Sequence, residues 1–246
     1  MSFSDEEVER YARHLVLREI GGPGQQKLKA AKVAIVGAGG LGAPAALYLA
    51  AAGIGSITLI DHDTVGLSNL QRQILYEGRD IGAEKVMVAA NRLHGVNPHV
   101  TIDGIAAALT IDNARDLFAD KDLVLDGTDN FPTRFLVNQA CLETGRPLVS
   151  GAIGRWTGQV GVFAGRPCYR CLVAEAPPDA ETCSAVGVVG ALAGVIGSMM
   201  ALEAIKLITQ AGEALVGRLL IYDGLAGEAR TVRIGADPHC KSCGAR

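Results

Sequence analysis

Residues 32–61 leave few options for the fold. An apolar stretch at 32–36 runs into Gly37-Ala38-Gly39-Gly40-Leu41-Gly42, an alanine-rich stretch follows at 41–52, and a second apolar stretch at 56–60 ends on Asp61. Strand, glycine turn, helix and strand in that order predict a buried βαβ unit. The glycines let the backbone turn tightly and approach a phosphate at a helix N-terminus. An acid about 20 residues further on can hydrogen-bond ribose hydroxyls. Gly37, Gly39, Gly40 and Asp61 are therefore candidate nucleotide-binding residues. The alternative for the same residues is a tight turn that binds nothing.

The alternation continues beyond this unit. An amphipathic helix is expected at 5–17 before it. After it come a helix at 84–94, strands at 100–103, 123–126 and 147–150, and helices at 113–118 and 133–144. This specifies an α/β chain of the Rossmann-like, doubly wound kind, with a mainly parallel sheet and helices on both faces. Past residue 150 the pattern turns to hairpin-like strands at 159–164, 218–222 and 229–234, which should extend the sheet in antiparallel fashion. Between them, Gly187, Gly190, Gly194 and Gly197 recur on one face of an apolar run at 185–202. That spacing suits a buried or subunit-interface helix. Glycines also break the apolar run at 33–60, so neither run is read as a membrane span.

A chain of 246 residues can bury a sizeable core. With no internal repeat and no low-complexity linker, one domain is expected over 1–246. It comprises an N-terminal helical segment at 1–30, a nucleotide-binding half at 31–150 and a second half at 151–246. The net charge of -3 lacks the field that gathers nucleic acid or anionic lipid. Glycine, at 31 residues, is nearly twice its usual share of about 7%, as tight turns and phosphate loops require. Six cysteines are too few for a disulfide scaffold of this length, and the N-terminus carries no secretory pattern. A reducing, cytoplasmic setting is expected.

Ser68-Asn69-Leu70-Gln71-Arg72-Gln73 is an odd segment for a dehydrogenase, because it sets a guanidinium among amides. Arg72 can grip phosphate in two-pronged fashion and Lys85 can add a point charge. Directly after the apolar run at 123–125 stands Asp126-Gly127-Thr128-Asp129-Asn130, at the carboxyl edge of the sheet where ligands bind. A carboxylate beside phosphates implies Mg2+, which is assigned to Asp129, while Asp126 is given a structural role. Two CxxC knuckles, Cys168/Cys171 and Cys240/Cys243, suit a closed tetrahedral Zn2+ site that ties the C-terminal tail to the loop after the hairpin. A redox pair is the alternative. Cys183 stands alone upstream of a helix and is a candidate nucleophile, whereas Cys141 is read as core.

In combination these residues resemble the MoeB/ThiF family of adenylyltransferases, relatives of the ubiquitin-activating enzymes. The resemblance runs almost end to end. It takes in Arg10-Tyr11-Ala12-Arg13-His14, the glycine loop, Asp61-His62-Asp63, Ser68 to Gln73, Lys85, Asn97-Pro98, Thr128-Asp129-Asn130, both knuckles and Glu203-Ala204-Ile205-Lys206. It implies that ATP binds with Mg2+ and that the C-terminal glycine of a ubiquitin-like sulfur carrier ending in Gly-Gly is adenylated, for molybdopterin or thiamine synthesis. It implies a homodimer in which Arg13 reaches the partner's ATP site, and a cysteine at the position of Cys183 that in some relatives bonds covalently to the carrier. Sulfur is expected from a separate donor protein. The residue set for the nucleotide is then Gly37, Gly39, Gly40, Asp61, Ser68, Asn69, Arg72, Lys85, Asp129 and Asn130, with Arg13, Arg72, Lys85 and Asp129 as the catalytic charges. The chain departs from the family pattern at Glu181-Thr182 and Met199-Met200.

Two other classes compete with this reading. A NAD-dependent oxidoreductase accounts for the glycine loop and Asp61 but leaves Arg72, Lys85 and Asp129 unexplained. A noncatalytic zinc-bearing scaffold would bind a ubiquitin-like partner without turning over ATP.

Overall fold

The computed structural model describes residues 2–177 and 187–244. Strands β1 (Lys32–Val36), β2 (Ser56–Ile60) and β4 (Leu123–Asp126) are short and almost wholly buried, as strands covered on both faces must be. Their side chains alternate between two cores. Val33, Ile35, Leu123 and Leu125 face one, whereas Ala34, Val36 and Val124 face the other. With β3 (Thr101–Ile105), β5 (Leu148–Gly154), β6 (Thr157–Phe163), β7 (Arg218–Asp223) and β8 (Glu228–Arg233) they form one eight-stranded sheet in the order β3-β2-β1-β4-β5-β6-β7-β8. The pairings from β3 to β5 are parallel, and those from β5 to β8 are antiparallel. A single sheet therefore runs through both halves of the chain.

The helices divide between the two faces. Helices α3 (Gly21–Ala30), α4 (Gly42–Ala52), α5 (Lys85–Val96) and α9 (Gly190–Thr209) close over the first core. Helices α6 (Ile111–Phe118), α7 (Phe131–Thr144) and α8 (Tyr169–Leu172) close over the second. Because β1 is followed by α4 and β2 on one side while β4 lies on its other side, the connections leave β1 and β4 in opposite directions. They open a crevice at the carboxyl end of the sheet.

The expected helix at 5–17 is in fact two, α1 (Asp5–Arg10) and α2 (Ala12–Leu15), parted at Tyr11. Tyr11 is buried. Its hydroxyl accepts from Asn97 Nδ2 at 2.8 Å, and its ring lies so close over Gly53 that a Cβ there would sit 2.5 Å from it. Anchoring that ring outweighs helix continuity. Helix α3 had no helical signal in Gly21-Gly22-Pro23-Gly24, and tertiary contacts supply what propensity does not. Gln25 is fully buried, donates to Ala52 O at 2.8 Å and meets His14 Nδ1 at 2.9 Å, so α2 and α3 are fastened to the end of α4.

Helix α9 begins five residues later than the apolar run at 185–202 and extends beyond it. By length and composition it could cross a membrane, yet it packs along α4, β5 and β6. Gly187 precedes it with φ +73°. Gly190 and Gly197 permit close approach: a Cβ would lie 2.2 Å from Gln71 O at the first and 2.5 Å from Leu41 O at the second. Gly194 faces open space.

Candidate active site

The glycine loop lies between β1 and α4, at the edge of the crevice. Gly37 adopts φ +88° with its α-carbon pressed toward Gly127, and a Cβ on Gly42 would meet Gly37 O at 1.8 Å. Only glycine permits this tight return, and it leaves the loop's backbone open to a ligand. Asp61 fixes the loop from the end of β2: Oδ2 accepts from Ala38 N at 2.8 Å and Oδ1 from Asp63 N at 2.9 Å. Tyr76, unnoticed in the sequence, donates its hydroxyl to Ala38 O at 2.6 Å. Burial pushes the Tyr76 phenol far up, so it stays protonated and able to donate.

Facing the loop is the crossover segment 67–73. The aliphatic part of Arg72 lies over Gly40, where a Cβ would be 3.6 Å from it, and Nη1 donates to Ser68 O at 3.1 Å. Gln73 packs over Gly39. It is buried, and its Oε1 has no hydrogen-bond partner among the described residues. Lys85, at the first turn of α5, is buried and holds Asp63 Oδ2 at 2.8 Å. The Lys85 ammonium keeps the Asp63 carboxyl below the usual range despite partial burial.

Across the crevice stands the loop after β4. Asp126 is fully buried and accepts from Thr128 N at 3.0 Å, Thr128 Oγ1 at 2.6 Å and Ser150 Oγ at 3.1 Å, which makes it a structural anchor as expected. Asn130 caps α7 by accepting from Thr133 N at 3.0 Å. Asp129 is left exposed on the cavity wall, with neither oxygen engaged among the described residues. Arg134 is 94% buried, because only 6% of its surface is exposed, and donates Nη2 to Thr128 O. It lies against the Tyr169 hydroxyl and opposes the upward push of burial on that group.

These walls enclose a cavity of about 350 Å³. Gly37, Gly39, Gly40, Asp61, Asn69, Arg72, Lys85, Asp129 and Asn130 all line it, together with Gln73, Arg134 and Tyr169, which were not in the expected site set. Ser68 does not line it; its side chain is exposed, and its carbonyl instead steadies Arg72. Arg13 is exposed on α2, away from this cavity. Cys183 lies outside the described residues.

The four knuckle thiols converge. Cys168 and Cys240 sulfurs are 3.6 Å apart, Cys171 and Cys243 3.4 Å, and all four lie within 4.8 Å of one another. Bonds of about 2.3 Å to one tetrahedral ion place ligand sulfurs roughly 3.8 Å apart, whereas a disulfide needs about 2.05 Å. The donor set fits Zn2+. His239 is exposed and does not join the cluster. Asp61, His62 and Asp63 also stand close together, but one oxygen of Asp63 is already taken by Lys85. Cys141 is buried in α7, where burial raises its thiol, in keeping with a core role.

The ThiF family model matches residues 11–244 of this chain. The sulfur carrier protein adenylyltransferase of Thermus thermophilus is 44% identical, over 99% of this chain and 93% of its own length. The SAMP-activating enzyme E1 of Haloferax volcanii is 43% identical, over 99% and 92%. Among solved structures, Escherichia coli MccB with MccA-N7isoASN superposes with a TM-score of 0.84 at 25% identity, covering 96% of this chain and 75% of that one.

Proposed function

Because the chain belongs to the ThiF family, we propose that it adenylates the C-terminal glycine carboxylate of a ubiquitin-like sulfur carrier, using ATP and releasing pyrophosphate. The observation that carries this reading is the division of the crevice. Phosphate-suited groups, the glycine loop with Arg72 and Lys85, face an unengaged carboxylate, Asp129, across one cavity. Relatives of similar length bear names of that activity.

The chemistry makes modest demands. A carboxylate is ionised at neutral pH, so it needs no general base. Its oxygen bonds to the α-phosphorus of ATP as the bond from that phosphorus to the bridging β-oxygen breaks, and the electron pair leaves with pyrophosphate. What the protein must supply is alignment and compensation of charge on the leaving group. Asp61 orients the glycine loop and is placed for ribose hydroxyls, while Arg72 and Lys85 compensate phosphate charge. Asp129 would hold Mg2+, whose charge stabilises phosphate oxygens when bound. Arg13, exposed on α2, serves the neighbouring protomer of a homodimer. The apolar exposure of Tyr48 on α4 and of Val195 and Leu202 on α9 supports such a pairing. Zn2+ on the four thiolates is structural. The unbroken sheet supports a single domain.

The test is ATP:pyrophosphate exchange with Mg2+ and a panel of purified carriers ending in Gly-Gly. Carrier-dependent exchange is expected, with a fall of roughly 100-fold or more in the Asp129→Ala protein, the usual cost of one preorganised charge contact. Intact zinc and ATP binding without exchange on any carrier would favour the noncatalytic scaffold.

A further inference from the structure

Arg134 is a charge the mechanism above does not use. The residue is only 6% exposed and lines the cavity, yet among the described residues no carboxylate pairs with it. A buried cation without an anion is costly, and evolution of a fold tolerates it where a ligand completes the pair. The buried carboxylate nearest in sequence, Asp126, spends its oxygens on Thr128 and Ser150. Of the five donors on the guanidinium, one is held by Thr128 O and the Tyr169 hydroxyl lies alongside.

Its position separates it from the phosphate-suited groups. Arg134 rises from α7, on the face of the sheet that carries the second core, whereas the glycine loop and α4 belong to the first. The same cavity is also lined by the uncharged Phe131, Ala152 and Val173.

We propose that Arg134, held in place by Thr128 O, binds the terminal carboxylate of the incoming tail and aims it at the nucleotide. A planar guanidinium grips a carboxylate through two parallel hydrogen bonds, which fixes the plane of the attacking group. This assignment rests on the adenylation reading and adds the residue that recognises the carboxylate itself.

The experiment compares the full-length wild-type protein with Arg134→Gln and Arg134→Lys. The probe is the carrier that supports exchange, prepared with its natural C-terminal carboxylate and as the C-terminal carboxamide. Binding is followed by calorimetry in the presence of Mg2+ and a nonhydrolysable ATP analogue. Wild-type protein should prefer the carboxylate form by about 10- to 100-fold, the usual effect of a hydrogen bond to a charged group. Arg134→Gln should lose that preference and raise the carrier KM by a similar factor. Affinity for the ATP analogue should stay within about twofold, and Arg134→Lys should recover part of the preference. Thermal melting of both variants identifies a folding defect, and the lysine variant keeps the charge if glutamine disturbs the loop. Undiminished preference in Arg134→Gln, or a loss confined to ATP affinity, overturns this assignment alone. Absence of exchange by the wild-type protein with every carrier overturns the activity and the assignment together.

Discussion

Lys85, the ammonium proposed to reach a phosphate, is already paired. It is 4% exposed and holds Asp63, whose own side chain is half open to water. The pair keeps a desolvated charge tolerable, and under the proposed function a phosphate would share a cation whose position is fixed beforehand. The Asp63 carboxyl is held below its ordinary value of 3.8, first by the hydrogen bond from Lys85. A group with a depressed folded-state pKa contributes stability above its unfolded pKa and loses that contribution as pH falls through the folded one. Asp63→Asn should therefore lower Tm at pH 7, where it strands Lys85. The difference from wild type should shrink as the medium is acidified below about 3.8 and the wild-type carboxyl also takes up a proton. Thermal melts at stepped pH read this directly. A difference independent of pH would show that the pair carries no such linkage.

At the scale of elements, α9 is what presses the crossover segment onto the glycine loop. Gly190 touches Gln71, Gly40 touches both Arg72 and Ala193, and Gly197 touches Leu41. Gly197→Ala must displace Leu41 O or Pro44 and should cost about 1–3 kcal/mol, as overpacking does. Gly194→Ala meets nothing within 4 Å and should stabilise α9 by about 0.5–1 kcal/mol through helix propensity. Paired denaturant melts distinguish them, and equal effects would mean that the stripe has no contact role. The same helix shows how far the sequence was legible. Its glycine period announced a close-packed face but not which glycines are in contact, because that depends on where the crossover segment lies. Strands β1, β2 and β4 were legible to the residue, since apolar runs bounded by glycine and aspartate admit one placement. Helix α3 was not, because burial of Gln25 and Leu28 overrides the poor propensity of its first turn. Arg134 escaped notice for a related reason. Its importance follows from Asn130 capping α7, which sets position 134 one turn on with its side chain directed back toward Thr128.

For the whole molecule, the thiolate cluster and the proposed dimer set which distant segments share one site. Cys240 and Cys243 bring the C-terminal tail to Cys168, and the next residue, Tyr169, is wedged between Phe135 and Phe163 beside Arg134. Removing zinc with a chelator should thus raise hydrogen exchange in residues 168–172 and 238–244 while leaving β1, β2 and β4 protected. Unchanged exchange would make the metal dispensable for this junction. The dimer carries a sharper consequence. Arg13 is exposed on its own protomer, whereas Asp129 lines its own cavity. If each site takes Arg13 from the partner, Arg13→Ala and Asp129→Ala proteins should each be inactive alone. Dissociated and reassociated together, the two proteins would give heterodimers in which one site has lost both residues and the other is intact. Random mixing of equal amounts should then restore about a quarter of wild-type exchange, because half the dimers carry one intact site of two. If Arg13 instead served its own protomer, every site in the mixture would lack one residue and no activity would return. Leu202→Asp, placed in the exposed apolar strip of α9, should lower the dimer fraction in sedimentation and abolish the rescue with it.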